Sequence, residues 1–187
     1  MTPLKSAATA ALSALCLTGP TSAWAADFSL SSSSAPDGVF KNAQLLSEPY
    51  GFGCDGENLS PQLTWSDVPE GTQSFVLRMH DPDAPTGIGG WTHWVVVNLP
   101  ADVTGIPEGG PMPAGALETR TDFGMPGYGG ACPPEGPAHR YVFTLDALSI
   151  PQLPADMITA DSMPAFVGFL TGAYSLGQAS LTVTYGQ

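Results

Sequence analysis

The spacing of turn residues constrains this chain more tightly than any other feature. Its 22 glycines and 19 prolines are scattered through all 187 residues rather than gathered in one tract. A proline inside a helix removes a donor and collides with the preceding turn, and a glycine there costs about 1 kcal/mol. Long helices are therefore excluded. Short apolar runs between turn signals point instead to many short strands. Strands are expected at Ala43–Ser47, Gln62–Trp65, Ser74–Asp81, Thr92–Leu99, His139–Leu148 and Ala179–Tyr185, with one helix from about Ser162 to Ala173. The Ser-rich stretch Ala26–Asp37 reads as a loose lead-in with one edge strand. These elements predict a mainly β chain with one or two short helices. Residues 26–40 form a flexible lead-in, and residues 41–187 form a single domain.

The first 25 residues stand apart from that pattern. Met1–Lys5 carries one positive charge, Ser6–Gly19 is small and apolar, and Ala23-Trp24-Ala25 fits the small-x-small cleavage rule. This is the build of a secretory signal peptide cleaved near Ala25, so the mature protein is expected in the periplasm or outside the cell. The apolar run is too short for a transmembrane segment, and no other stretch has the required length. Cleavage removes one cation and no acid, which takes the net charge from −12 to −13. Such a chain repels nucleic acid, so none is expected as a partner. Cys54 and Cys132 remain after cleavage. An oxidising compartment permits one disulfide between them, and two separate buried thiols are the alternative.

Strand alternation suggests where chemistry gathers. In Ser74–Asp81, Phe75, Leu77 and Met79 share a face that Asp81 continues, while Arg78 and His80 point the other way. His93 is expected to share a face with Val95, Val97 and Leu99, and His139 and Tyr141 to share one with Phe143 and Leu145. Four polar groups at the rim of an apolar face are costly unless they pair or meet a ligand, so a common site is expected.

Three motifs surround these residues. Asp81-Pro82-Asp83-Ala84-Pro85 is a rigid turn in which either X-Pro bond is a candidate for cis. Trp91-Thr92-His93-Trp94 follows it. Tyr128-Gly129-Gly130-Ala131-Cys132-Pro133-Pro134 then leads to His139-Arg140-Tyr141. The glycines allow backbone N–H groups to turn toward an anion, and imidazole and phenol add directional donors. Together these parts make a small receptor for phosphate, phosphoryl or carboxylate groups.

In this order, the motifs resemble the signature of the phosphatidylethanolamine-binding protein (PEBP) family. The resemblance runs from about Asn42 to Tyr185. Cys54-Asp55-Gly56-Glu57-Asn58-Leu59-Ser60-Pro61 with Leu63-Thr64-Trp65 resembles the bacterial branch, often called Raf-kinase-inhibitor-like proteins. The resemblance implies a β-sandwich of two packed antiparallel sheets. It also implies a ligand-binding set of Asp81, Asp83, Ala84, Pro85, Trp91, His93, Gly130, Cys132, Pro134, His139 and Tyr141, for a small anionic or phosphorylated head group. His93 and His139 would donate to the anion, Asp81 would orient one histidine, and the Gly129–Cys132 loop would supply backbone donors.

The chain departs from the family in three places. The loop Thr86–Gly90 is short, the sequence stops just past its last expected strand, and Ala165-Phe166 stands where bacterial members often carry Gly-His. No cofactor is expected, and no metal-binding spacing is present. The expected function is binding rather than catalysis, with a possible regulatory or inhibitory protein partner and a homodimer left open. A hydrolase using the Asp/His cluster is the alternative. Asn58-Leu59-Ser60 fits the glycosylation pattern but reads as structural within its loop.

Overall fold

The computed structural model describes residues 27–187. The expected signal peptide and its cleavage site lie outside the described residues. Eight strands form two antiparallel sheets, as expected of a β-sandwich. The smaller sheet has the order β1-β2-β5, from Ser29–Ser31 (β1), Leu63–Ser66 (β2) and Gly105–Ile106 (β5). The larger has the order β6-β4-β3-β7-β8. Its strands are Ser74–Asp81 (β3), Trp91–Pro100 (β4), Leu117–Glu118 (β6), His139–Leu148 (β7) and Ser175–Tyr185 (β8). One helix, Pro164–Tyr174 (α1), runs directly into β8.

The large sheet is covered on both faces, which explains why its central strands are almost continuously apolar. One face meets the small sheet, and Leu30, Trp65, Phe75, Leu77, Met79, Trp94 and Phe143 interdigitate there. The other face packs Val76, Val95, Val97 and Leu148 against Val167 and Leu170 of α1. Among the described residues no helix is long and apolar enough to cross a membrane.

Two expectations are corrected here. The stretch read as a flexible lead-in belongs to the packed domain. β1 is the expected edge strand, paired with β2, but the stretch is not loose, because Leu30, Ala35 and Phe40 are core residues. The run Ala43–Ser47 is not a strand. Asn42–Gln44 is a 3-10 turn. The carbonyls of Ala43, Leu45 and Leu46 accept from Leu59, Asn58 and Gly56, so an irregular loop takes the bonds a strand would have used.

A third correction concerns β4. His80 pairs with Thr92 and Met79 with Trp94, so His93 is an extra residue opposite a single step of β3. A second irregularity falls between Phe75 and Leu77 on β3, opposite Asn98, which has a φ of 59°. Each bulge flips the alternation. Val95 and Val97 consequently face α1, while Trp94, Val96 and Leu99 face the small sheet. His93 does not share a face with Val95 and Val97, as simple alternation had it. The bulge places it on the opposite side, with Asp81 and Tyr141.

Candidate functional site

Asp81 at the end of β3, Trp91 and His93 at the start of β4, and His139 and Tyr141 at the start of β7 converge on one cavity of about 260 Å³. Antiparallel pairing makes this possible, because the end of β3 lies between the starts of its two neighbours. Ten of the expected residues line it: Asp81, Ala84, Pro85, Trp91, His93, Gly130, Cys132, Pro134, His139 and Tyr141.

The polar groups at its base are held in a defined order. His139 donates Nδ1–H to Asp81 Oδ2 at 2.7 Å. Asp81 Oδ1 accepts the Asp83 amide at 2.8 Å, so both carboxylate oxygens are engaged. His93 donates Nδ1–H to the Gly129 carbonyl at 2.8 Å, while the Gly129 amide returns a bond to the His93 carbonyl at 3.0 Å. A carbonyl can only accept, so the proton on His93 sits on Nδ1 and its Nε2 is a bare acceptor while the ring is neutral. Burial pushes the His93 pKa below 6.5, against the opposing pull of the Gly129 carbonyl and the Asp81 charge. Burial and the Asp81 charge together drive the Tyr141 hydroxyl far above its ordinary range. Tyr141 Oη and Trp91 Nε1 are both enclosed without a partner in hydrogen-bond geometry. Native structures seldom leave such groups unpaired.

Asp83 is not part of the cavity. Its Oδ2 accepts from the Arg140 amide and Nε, each at 2.9 Å, and its Oδ1 from Nη2 at 2.7 Å. These bonds hold the Asp83 carboxyl far below the usual carboxylate range and raise the Arg140 guanidinium pKa. The fork ties the turn that carries Ala84 and Pro85 to β7, so Asp83 positions the wall instead of touching the contents.

Three of the four amides of the Gly129–Cys132 loop are corrected as well. The Gly130 amide donates to Asn58 Oδ1 at 2.8 Å, and the Ala131 amide to the Gln44 carbonyl at 3.3 Å. Three amides expected to face an anion are thus spent on the scaffold. The glycines serve close approach instead. A side chain at Gly129 would run into the Phe123 ring, and one at Gly130 into the Gln44–Leu46 backbone. Asn58 also donates Nδ2–H to the Tyr128 carbonyl at 3.0 Å, so both ends of its amide are structural.

Cys54 and Cys132 are joined in a disulfide. Every peptide bond among the described residues is trans. His80, placed by alternation on the opposite face, lies there, bonded to Thr92 and to the Gly89 carbonyl. Ala165 lines a separate concavity beside His80, and no residue of α1 lines the pocket. The reading of the motifs missed Leu46, Phe52, Thr86, Phe123 and Pro133 in the lining. Phe123 had a faint signal: adjacent glycines at 129 and 130 imply a bulky neighbour pressed against the backbone. Among the described residues no group of three or more His, Cys, Asp and Glu side chains is gathered to hold a metal ion.

Known proteins resemble this chain in sequence and fold. A family model described as phosphatidylethanolamine-binding protein matches residues 36–186. The UPF0098 protein YbhB of Escherichia coli K12 is 52% identical over 140 residues, covering 72% of this chain and 86% of that protein. The UPF0098 protein YbcL of the same organism is 49% identical over 142 residues, covering 72% and 75%. The crystal structure of E. coli YbcL, described as a new member of the mammalian PEBP family, superposes with a TM-score of 0.79. The two are 42% identical across 87% of this chain and 99% of that one. CT736 of Chlamydia trachomatis, described as a putative PEBP homolog, superposes with a TM-score of 0.68 at 29% identity, covering 86% and 97%.

Proposed function

The chain belongs to the phosphatidylethanolamine-binding protein family, and from that premise we propose that it is an exported binding protein whose pocket holds a small anionic or phosphoryl head group. The observation that carries this reading is the pairing of His93 and His139. Each ring is fixed through Nδ1 by a single protein acceptor, and each lines the same enclosed space. Their Nε2 atoms are left for a ligand. An anion entering would draw protons onto these nitrogens and turn them into donors. Binding by contact suits a molecule of net charge −12, or −13 once its leader is removed, because attraction from afar is excluded. Export rests on the build of residues 1–25. Regulation of a partner protein is part of the same proposal, with the pocket rim as its contact surface.

Titration calorimetry with inorganic phosphate at pH values of about 5.5 and about 7.5 tests the reading. Tighter binding at the lower value is expected, and equal affinity would remove the histidines from the site.

One observation favours a second reading, a hydrolase. The Asp81–His139 pair has the geometry of an oriented general base. The one cysteine in the lining is bridged, so a thiolate nucleophile is excluded, and a water activated by His139 is the simplest attacking group. Turnover of a nitrophenyl phosphate or acetate, abolished in His139→Gln, would establish that activity.

A further inference from the structure

The pocket is larger than a bare head group needs. A volume of about 260 Å³ equals roughly nine waters at about 30 Å³ each, whereas an inorganic phosphate has only five heavy atoms. Beside the imidazoles and the carboxylate, the lining includes the aromatic rings of Phe52, Trp91 and Phe123. Trp91 and Phe123 meet edge to face with centroids 5.3 Å apart. Phe52 stands over both, 6.4 Å from Trp91 and 5.9 Å from Phe123, again nearly perpendicular.

Phe52 is the most exposed of these three rings. It is 58% exposed, although a phenyl ring is among the most favourable groups to bury. Gly51 and Gly53, with φ of 76° and 95°, carry it out from the chain. Cys54 then pins the loop to Cys132 in the pocket wall. Such a ring, in the lining of a cavity with Trp91 and Phe123, gives a ligand an apolar surface to cover.

Resting on the anion reading above, we infer that the natural ligand is an aryl anion. Its phosphate or carboxylate would sit between His93 and His139, and its single flat ring would sit in the collar of Phe52, Trp91 and Phe123. The volumes agree: a cavity of about 150 Å³ accommodates a benzene ring, which leaves roughly 110 Å³ for the charged group. Edge-to-face rings present their faces and edges at fixed angles, so a flat aromatic group gains contacts that a flexible alkyl chain of equal size does not. Phe52 is then the residue that sets specificity, and it acts on the ring alone.

The probes are phenyl phosphate, butyl phosphate, inorganic phosphate, benzoate and acetate, titrated into the wild-type protein and Phe52→Ala. Phenyl phosphate or benzoate should bind at least tenfold more tightly than its ringless counterpart, with butyl phosphate behind phenyl phosphate. Phe52→Ala should cut the aryl ligand's affinity severalfold more than that of inorganic phosphate. Phosphate binding with no gain from the ring, or an equal loss of both ligands in Phe52→Ala, overturns the aryl inference and leaves the anion reading standing. Absence of binding by all five probes overturns both.

Discussion

At the scale of single residues, the pocket histidines are unequal. His139 is tied to a carboxylate, whereas His93 is tied to a carbonyl and burial lowers its pKa. The pH dependence of stability follows. Because the folded pKa of His93 lies below 6.5, the unfolded chain takes up a proton in that window and the folded chain does not. Stability of the ligand-free protein should therefore fall as pH drops below about 6.5 and level off below the folded value. Thermal melts across that range, compared with His93→Gln, would show it. A flat wild-type profile would contradict the lowered pKa of His93. Asp83 acts in a separate window. Its pKa is depressed, so its contribution is present above 3.8 and is lost as pH falls below that value.

The consequence for mutagenesis at His139 is also specific. Both His139 and Asp81 are buried, and truncating the histidine leaves a carboxylate oxygen enclosed without its donor. His139→Ala should cost on the order of 1–3 kcal/mol. His139→Gln keeps a donor within reach and should lose phosphate binding with a smaller drop in melting temperature. If the two variants melt alike, the bond to Asp81 contributes little.

At the scale of elements, the glycine loop and the bridge hold the wall. Gly130 lies against the Gln44–Leu46 backbone. Gly130→Ala should therefore destabilise by overpacking, about 1–3 kcal/mol, measurable by denaturant unfolding. A stability equal to wild type would mean the loop can move aside. The Cys54–Cys132 bridge closes 78 residues of chain separation. In the chain-entropy account a loop of that size stabilises by about 4.5 kcal/mol. Reduction should lower the melting temperature and also release the segment that carries Phe52. Intact phosphate binding at unchanged stability after reduction would show the tether to be dispensable.

The same scale shows where strand reading succeeded and where it failed. β3 and β7 have the expected bounds, and Asp81, His139 and Tyr141 lie on the face that alternation assigned. Both strands pair without interruption along β3–β7, so period-two reasoning holds there. On β4 it named the right residue for the wrong reason. A bulge inverts the side chains after His93, and a bulge leaves no apolar signature in a strand buried on both faces. Residues 43–47 failed for a related cause, since their partner is the loop at Gly56, Asn58 and Leu59 and not a strand.

At the scale of the whole molecule, charge sets the terms of recognition. Cations number five against 17 acids, and Arg78, Arg120 and Arg140 are all paired with aspartates. Attraction across solvent cannot assist an anion. Raising salt from about 20 to about 200 mM should leave phosphate affinity unchanged or slightly improved, the reverse of a basic receptor. A steep loss with salt would instead indicate a local positive field.

Turn spacing and strand periodicity were enough to read a β-rich chain and a common site for Asp81, His93, His139 and Tyr141, because both follow local chain chemistry; the two-sheet sandwich and the rest of the expected lining came from the family resemblance of the motifs. Other features were decided only by the tertiary structure. Asp83 stays out of the pocket because Arg140, adjacent to it only in space, engages both of its carboxylate oxygens. The loop amides turn inward because Asn58, His93 and Gln44 come to meet them. The aromatic collar assembles from Phe52, Trp91 and Phe123, three rings from separate segments that the disulfide and the sheet bring to one cavity. In each case the deciding partner is distant in sequence, and the choice rests on which contact is made when the segments pack.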